Sequence, residues 1–300
     1  MVLTMGKYYG IFLILCVVCS AELSAQGCSD AGACSIYGDH TGADTSTYHQ
    51  IAVGMSSGKA DNDIIAWGQY LEYQWRASDV LGLSAKMTSL AQSGNGLSVF
   101  GLGDIYLTSA IAVAEDITVT IGGKFPLTDG NRPDNGNALP MDYQSSLGTI
   151  DILAGMTYRW DNMRFALALQ QPLTQNNNQF LAANSMQLQN FPSTRNFIRS
   201  GDIVGRVSYG ISLADSWRLT PSIVPIYHLA NDRFTDGSGK EFEIEGSQGL
   251  TLNGNIFLDY TIRQGHSLQL NIAMPFVVRK ARPDGLTRSF LAGIEYRIAF

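Results

Sequence analysis

From about residue 48 to the last residue, apolar side chains recur at every second position. Period two marks strands with one apolar and one polar face. In 266–278 the even positions are Leu268, Leu270, Ile272, Met274, Phe276 and Val278, separated by Ser267, Gln269, Asn271 and Ala273. In 249–263, Leu250, Leu252, Ile256, Leu258, Tyr260 and Ile262 oppose Thr251, Asn253, Asn255, Asp259 and Arg263. In 200–213, Ile203, Val207, Tyr209, Ile211 and Leu213 oppose Asp202, Arg206, Ser208 and Ser212. The pattern predicts about twelve strands, near 48–57, 64–77, 80–91, 102–114, 117–127, 148–160, 163–173, 200–213, 217–228, 249–263, 266–278 and 287–300.

The connections alternate short and long. Short ones fall at 76–79, 114–116, 160–162, 214–216 and 263–266, long ones at 128–147, 174–199 and 229–248, and medium ones at 58–63, 92–101 and 279–286. Tight turns on one side and long loops on the other are the asymmetry of an up-and-down transmembrane β-barrel. An even strand count puts both ends of the barrel on the short-turn side. The fold expected is therefore all-β, a transmembrane antiparallel barrel of about twelve strands over 48–300.

The chain ends support this. Residues 290, 292, 294, 296, 298 and 300 are Phe, Ala, Ile, Tyr, Ile and Phe. A terminal Phe300 on such a strand resembles the closing strand of bacterial outer-membrane barrels, which implies recognition by the barrel-insertion machinery. At the other end Lys7 precedes an apolar run from Ile11 to Val18, and small residues surround Ala25. This reads as a signal peptide over 1–25. Residues 26–47, rich in Gly, Ser and Asp, read as a periplasmic extension or a lumen plug. Cys28 and Cys34 are expected to pair in an oxidising compartment. The expected location is the outer membrane of a Gram-negative bacterium, with lipid as the surrounding partner.

Charged residues make up only 15% of the chain, and the net charge is −6. The low charge suits a barrel whose outer face meets lipid, and the negative balance offers no footprint for nucleic acid.

Gly101-Leu-Gly-Asp104 opens one strand, and Pro126-Leu-Thr-Asp-Gly130 follows the next. Over about thirty residues this resembles the outer-membrane family associated with the phenol-degradation meta pathway, although its Pro-Thr-Gly element is here two residues longer. The architecture is more distantly similar to fatty-acid outer-membrane transporters. The resemblance implies passive uptake of small solutes, hydrophobic or aromatic ones among them, and supplies no catalytic residue.

By parity the inward face carries Glu72, Arg76, Lys86, Asp104, Lys124, Asp151, Arg159, Arg164, Asp202, Arg206, Arg218, Asp259, Arg263, Glu295 and Arg297. Both signs mix, so ion-paired rows across neighbouring strands are expected. Such rows either fill the lumen or leave a constricted polar channel, for twelve strands lie between filled and open barrels. Pro126, Pro172, Pro225 and Pro275 lie toward the outer ends of outward-running strands. Lacking an N–H, they either end regular pairing or loosen it at the rim. Trp75, Tyr158, Trp160, Trp217, Tyr260 and Tyr296 form a periplasmic aromatic belt, and Tyr227, Phe276 and Phe290 an outer one. The loop 174–199, with Phe180, Phe191 and Pro192, is expected over the mouth. Among His40, His49, His228 and His266, only His228 could act as a base, without a Ser partner by spacing. No enzyme activity, cofactor or metal site is expected. The functional expectation is a channel for a small-molecule solute. The alternative is a non-transporting structural or surface-binding barrel.

Overall fold

The computed structural model describes residues 48–284 and 288–300. The signal peptide, the extension and the Cys28–Cys34 pair lie outside the described residues. The barrel is made of β1 (His49–Ala60), β2 (Ile65–Arg76), β3 (Leu81–Gly94), β4 (Leu97–Ala114), β5 (Ile117–Pro126), β8 (Asp151–Trp160), β9 (Met163–Pro172), β10 (Asp202–Tyr209) continued by β11 (Ile211–Ala214), β12 (Trp217–His228), β15 (Gly249–Arg263), β16 (His266–Val277) and β17 (Arg288–Ala299). The remaining segments are two small loop hairpins: β6 (Pro133–Asp134) with β7 (Asn137–Ala138), and β13 (Arg233–Thr235) with β14 (Glu241–Glu243). All pairings are antiparallel. β1 pairs with both β2 and β17, and β10 with both β9 and β12, so the sheet closes on itself with twelve strands around.

The alternation sorts the side chains as the sequence predicts. Val53, Leu71, Met87, Leu107, Ile121, Ile152, Leu167, Ile203, Ile223, Ile256, Ile272 and Ile294 all point outward and are exposed. One apolar residue on each of twelve strands makes a continuous apolar exterior. Among the described residues no helix is long and apolar enough to cross a membrane. The strands do the crossing, because a closed barrel leaves no backbone group unpaired in hydrocarbon. The protein is a closed twelve-stranded β-barrel with the apolar exterior of the outer-membrane type. At the short-turn end Trp75, Tyr158, Trp160, Trp217 and Tyr296 stay exposed, and Trp217 packs on Tyr260 with ring centroids 4.5 Å apart. Tyr227, Phe276 and Phe290 are exposed at the other end.

Three strands run longer than their pattern suggested. The stretch expected as a medium loop at 92–101 is a continuation of the β3–β4 hairpin. It turns at Asn95 (φ 50°) and Gly96 (φ 74°), the two left-handed residues that a tight hairpin turn requires. A bulge conceals the extension. Pairing shifts between Met87 and Ser89, opposite Gly103–Asp104. The Thr88 hydroxyl donates to the Asp104 carbonyl (3.2 Å) and accepts from the Asp104 N–H (2.9 Å). Parity inverts there: Phe100 and Leu102 face lipid, while Asp104 and Tyr106 face the lumen. Likewise β1 runs on to Ala60, past the expected end at 57. β4 therefore rises seven residues beyond Asp104, whose partner Pro126 is the last residue of β5.

Candidate functional site: the lumen and its lid

Loops from the shorter side fold over the outer mouth and lean on the tall β1–β4 wall. They carry apolar cores of their own. Leu139, Tyr143, Phe180, Leu188 and Phe191 cluster with Ala60, Ile64 and Val99 of the rim. Met141, Leu147, Phe197 and Ile244 form a second cluster that joins three loops. Hydrogen bonds fix this lid. The Tyr143 hydroxyl donates to Gly94 O (2.9 Å), and Gln92 Nε2 donates to the carbonyls of Asp142 (3.0 Å) and Gln144 (2.9 Å). Asn178, wholly buried, donates to Gly130 O (2.9 Å) and Leu139 O (3.0 Å). The loop 174–199 does cover the mouth, with Phe180 and Phe191 packed into the lid core.

The glycine motif seats this lid. A Cβ at Gly101 would stand 3.0 Å from Ser145 Cβ, and one at Gly103 would stand 3.0 Å from Ser145 O. Without these glycines the 127–150 loop could not press on β4. Ser146 Oγ then donates to Asp104 Oδ1 (2.6 Å). Gly130 and Gly148 have positive φ and back onto each other where this loop leaves and returns.

Beneath the lid lies a buried charged layer. Asp151 accepts from Lys124 Nζ (3.0 Å), Thr149 Oγ1 (2.6 Å) and Gln170. Asp202 binds Arg199 and accepts from His228 Nδ1 (2.7 Å). His228 Nε2 meets Asp232 Oδ1 at 2.8 Å. Arg279 binds Asp284 (2.7 Å) and the Ser247 carbonyl (2.8 Å). His228 is 1% exposed and Asp232 0%, so solvent does not screen this layer. Burial pushes the Asp284 carboxyl up. Arg279, Arg199 and His228 outweigh that and hold it below the usual carboxylate range. Burial pulls the Arg279 guanidinium down, and Asp284 and Asp202 more than restore it. Asp142 has no such partner. Burial pushes its carboxyl up to about 8, with Asp61 and Asp284 adding to the rise and Arg282 opposing it. Its Oδ2 has no hydrogen-bond partner.

A second group lies on β15–β17 and β1–β3. Lys86 faces Glu72 directly across the β2–β3 pair at 3.9 Å and sits 4.0 Å over the Tyr70 ring. The Tyr70 hydroxyl donates to Glu295. Arg297 pairs with Glu295 and reaches Asp259 (3.4 Å). Gln269 donates to Asp259 at 2.8 Å. A Cβ at Gly54 would fall inside the Tyr70 ring, so glycine leaves the room that ring occupies.

Of the residues placed inward by parity, Glu72, Asp104, Lys124, Asp151, Asp202, Arg206, Glu295 and Arg297 are buried in the lumen. Lys86, Arg164, Arg218 and Asp259 are half-buried. Arg206 packs 5.4 Å over the Phe257 ring. Arg76, Arg159 and Arg263 lie at the periplasmic mouth, where Arg159 pairs with Asp116 (3.4 Å) and Arg76 with Asp79 (3.5 Å). Accessibility thus falls along the lumen. Ser212, Thr261 and Arg263 are exposed at the periplasmic end, while Val204, Asn253 and Gln170 are sealed further out.

Pro126 and Pro172 are the last residues of β5 and β9, so they end their ladders. Pro225 and Pro275 lie within pairing. The β10–β12 register lapses between Val204 and Val207, opposite Val224–Pro225. At Pro275 the β15–β16 register shifts, and among the described residues β16 pairs with β17 as far as Ala273↔Leu291. Arg199, Asp232, Arg279, Asp284 and Asp142 were not anticipated, because loops carry no parity. His228 bears no serine on its ring nitrogens, which both face carboxylates.

No family model matches the chain, and no curated protein matches it. Several solved barrels superpose on it. The CymD monoaromatic hydrocarbon channel is 12% identical, with 85% of this chain and 89% of that chain covered and a TM-score of 0.47. The translocator domain of autotransporter NalP from Neisseria meningitidis is 8% identical, with 99% of each covered and a TM-score of 0.46. The KdgM porin in complex with disordered oligogalacturonate is 8% identical, with 84% and 99% covered and a TM-score of 0.45. Likenesses this distant carry no argument about function.

Proposed function

We propose that the protein is an outer-membrane channel for passive uptake of small solutes, hydrophobic or aromatic ones among them. The supporting observation is the way the lumen closes. Its periplasmic rim is exposed at Ser212, Thr261 and Arg263, its wall is buried from Gln50, Thr220 and Arg297 outward, and its outer end is covered by loops. Loops can move where a filled barrel wall cannot, so this closure suits a gate. The inner wall suggests the cargo. Channel lumens are usually polar, yet Tyr106, Leu153, Ala166, Ala168, Val204, Val224 and Ile226 form an inward apolar cluster. Beside it Thr251, Asn253 and Ser222 carry side-chain oxygens without a protein partner. An apolar wall flanked by spare acceptors suits a small neutral molecule with an apolar body and a hydrogen-bonding group. The Gly101–Asp104 and Pro126–Gly130 resemblance agrees with that class. The lapse at Pro275 offers such a solute a sideways route into lipid.

The second reading, a non-transporting structural or surface-binding barrel, draws on the lid's own packed cores and ion pairs. Single-channel conductance of the refolded protein in a planar bilayer separates the two. Discrete openings blocked by aromatic or fatty-acid solutes are expected. A barrel that is inserted yet silent with every solute overturns the channel.

A further inference from the structure

His228 stands out in the charged layer because both of its ring nitrogens meet carboxylates, Asp202 at 2.7 Å and Asp232 at 2.8 Å. An ionised carboxylate only accepts hydrogen bonds, so one ring satisfies both contacts only with both nitrogens protonated. Charge then balances. Arg199, Arg279 and the imidazolium face Asp202, Asp232 and Asp284, three against three. Lys124 and Asp151 neutralise each other on the adjoining strands. The two carboxylates belong to different bodies. Asp202 opens barrel strand β10, while Asp232 belongs to the lid loop that follows β12. Asp232 is held in that loop by Ser247, whose hydroxyl accepts its N–H at 2.7 Å, and its Oδ1 accepts the Ser200 N–H at 2.9 Å.

We infer that the lid is a proton-dependent latch, held shut by His228 as an imidazolium and released when that proton leaves. Once the ring is neutral, one nitrogen presents a lone pair to a buried carboxylate. A hydrogen bond becomes a repulsion with no water to screen it. Asp142 pulls the same way. Its carboxyl is buried beside Asp61, Asp284 and Arg282 with one oxygen unpartnered, so ionising it also works against the closed lid. The lid is therefore tight in mildly acid solution and loosens as pH rises. The inference does not depend on whether any solute passes.

The test reads lid opening rather than conduction. Ala60 is buried beneath the lid beside Tyr143 and Phe180. Ala60→Cys, in a full chain whose native cysteines are changed to serine, reports access to an uncharged maleimide. Rates are corrected for thiol ionisation with the urea-unfolded chain. Heat-modifiable migration on a gel confirms the folded barrel. The corrected rate is expected to rise about tenfold between pH 6 and pH 9, the size of one pKa unit of differential binding. His228→Gln should label quickly at pH 6 and lose the rise. If that variant does not fold, Asp232→Asn severs the same bridge from the loop side and carries the same expectation. A corrected rate that stays flat in the parent chain overturns the latch. So does a folded bridge variant that keeps the parent's full rise.

Discussion

Glu72 and Asp202 are both buried lumen carboxylates on barrel strands, yet they are neutralised in different ways. Glu72 finds Lys86 directly opposite on the next strand, and the whole group of Tyr70, Glu295, Arg297 and Asp259 is strand-borne. Asp202 relies on Arg199, just before its strand, and on a ring that also binds a loop carboxylate. The inner group braces the wall against itself. The outer layer joins the wall to something that can leave. Burial follows the same division, since Lys124 and Asp151 are sealed while Lys86 and Asp259 keep some contact with solvent.

The sharpest way to break this comparison is to remove one cation from each region. Lys124→Met leaves Asp151 buried without its partner. Such a change costs about 3–5 kcal/mol, read by urea unfolding of the refolded barrel. Next comes pH. The Asp142 carboxyl is raised in the folded protein to about 8. Its contribution is therefore complete below the ordinary carboxylate pKa and is lost as pH climbs toward 8. Asp142→Asn should remove a slope of up to about 1.4 kcal/mol per pH unit from the pH-stability profile between about pH 4 and pH 8. Lys86→Met should cost less, about 1–3 kcal/mol, because its pair with Glu72 is long at 3.9 Å and Gln74 still donates to that carboxylate. Equal costs at Lys124 and Lys86 would erase the distinction between the two regions. Smallest is Arg159→Ala at the exposed periplasmic mouth, expected within about 0.5 kcal/mol of the parent in the same unfolding measurement.

Much of the inner group was legible in the sequence. Glu72, Lys86, Glu295, Arg297 and Asp259 fall on the polar parity of strands whose other face must meet lipid, and antiparallel pairing brings them together. Asp104 is buried on the face that its parity indicated, even though the bulge beside it hid the length of β4. The Gly101 and Gly103 motif was visible, but its physical use was not, because that use is the room it leaves for Ser145. Arg279 and Asp284 lie only five residues apart, yet no periodicity marks them as buried in a layer shared with Arg199 and His228.

The sequence by itself determined the closed barrel, the inward and outward faces, the short-turn side and the mixture of charges within. A lipid exterior imposes a period of two on every strand, and that constraint is local enough to read residue by residue. Only the tertiary structure decided how the outer mouth closes, which loop residues complete the charged layer and that His228 bridges wall and lid. Those contacts join segments far apart in the chain, where no repeating pattern records which distant group will satisfy a buried charge.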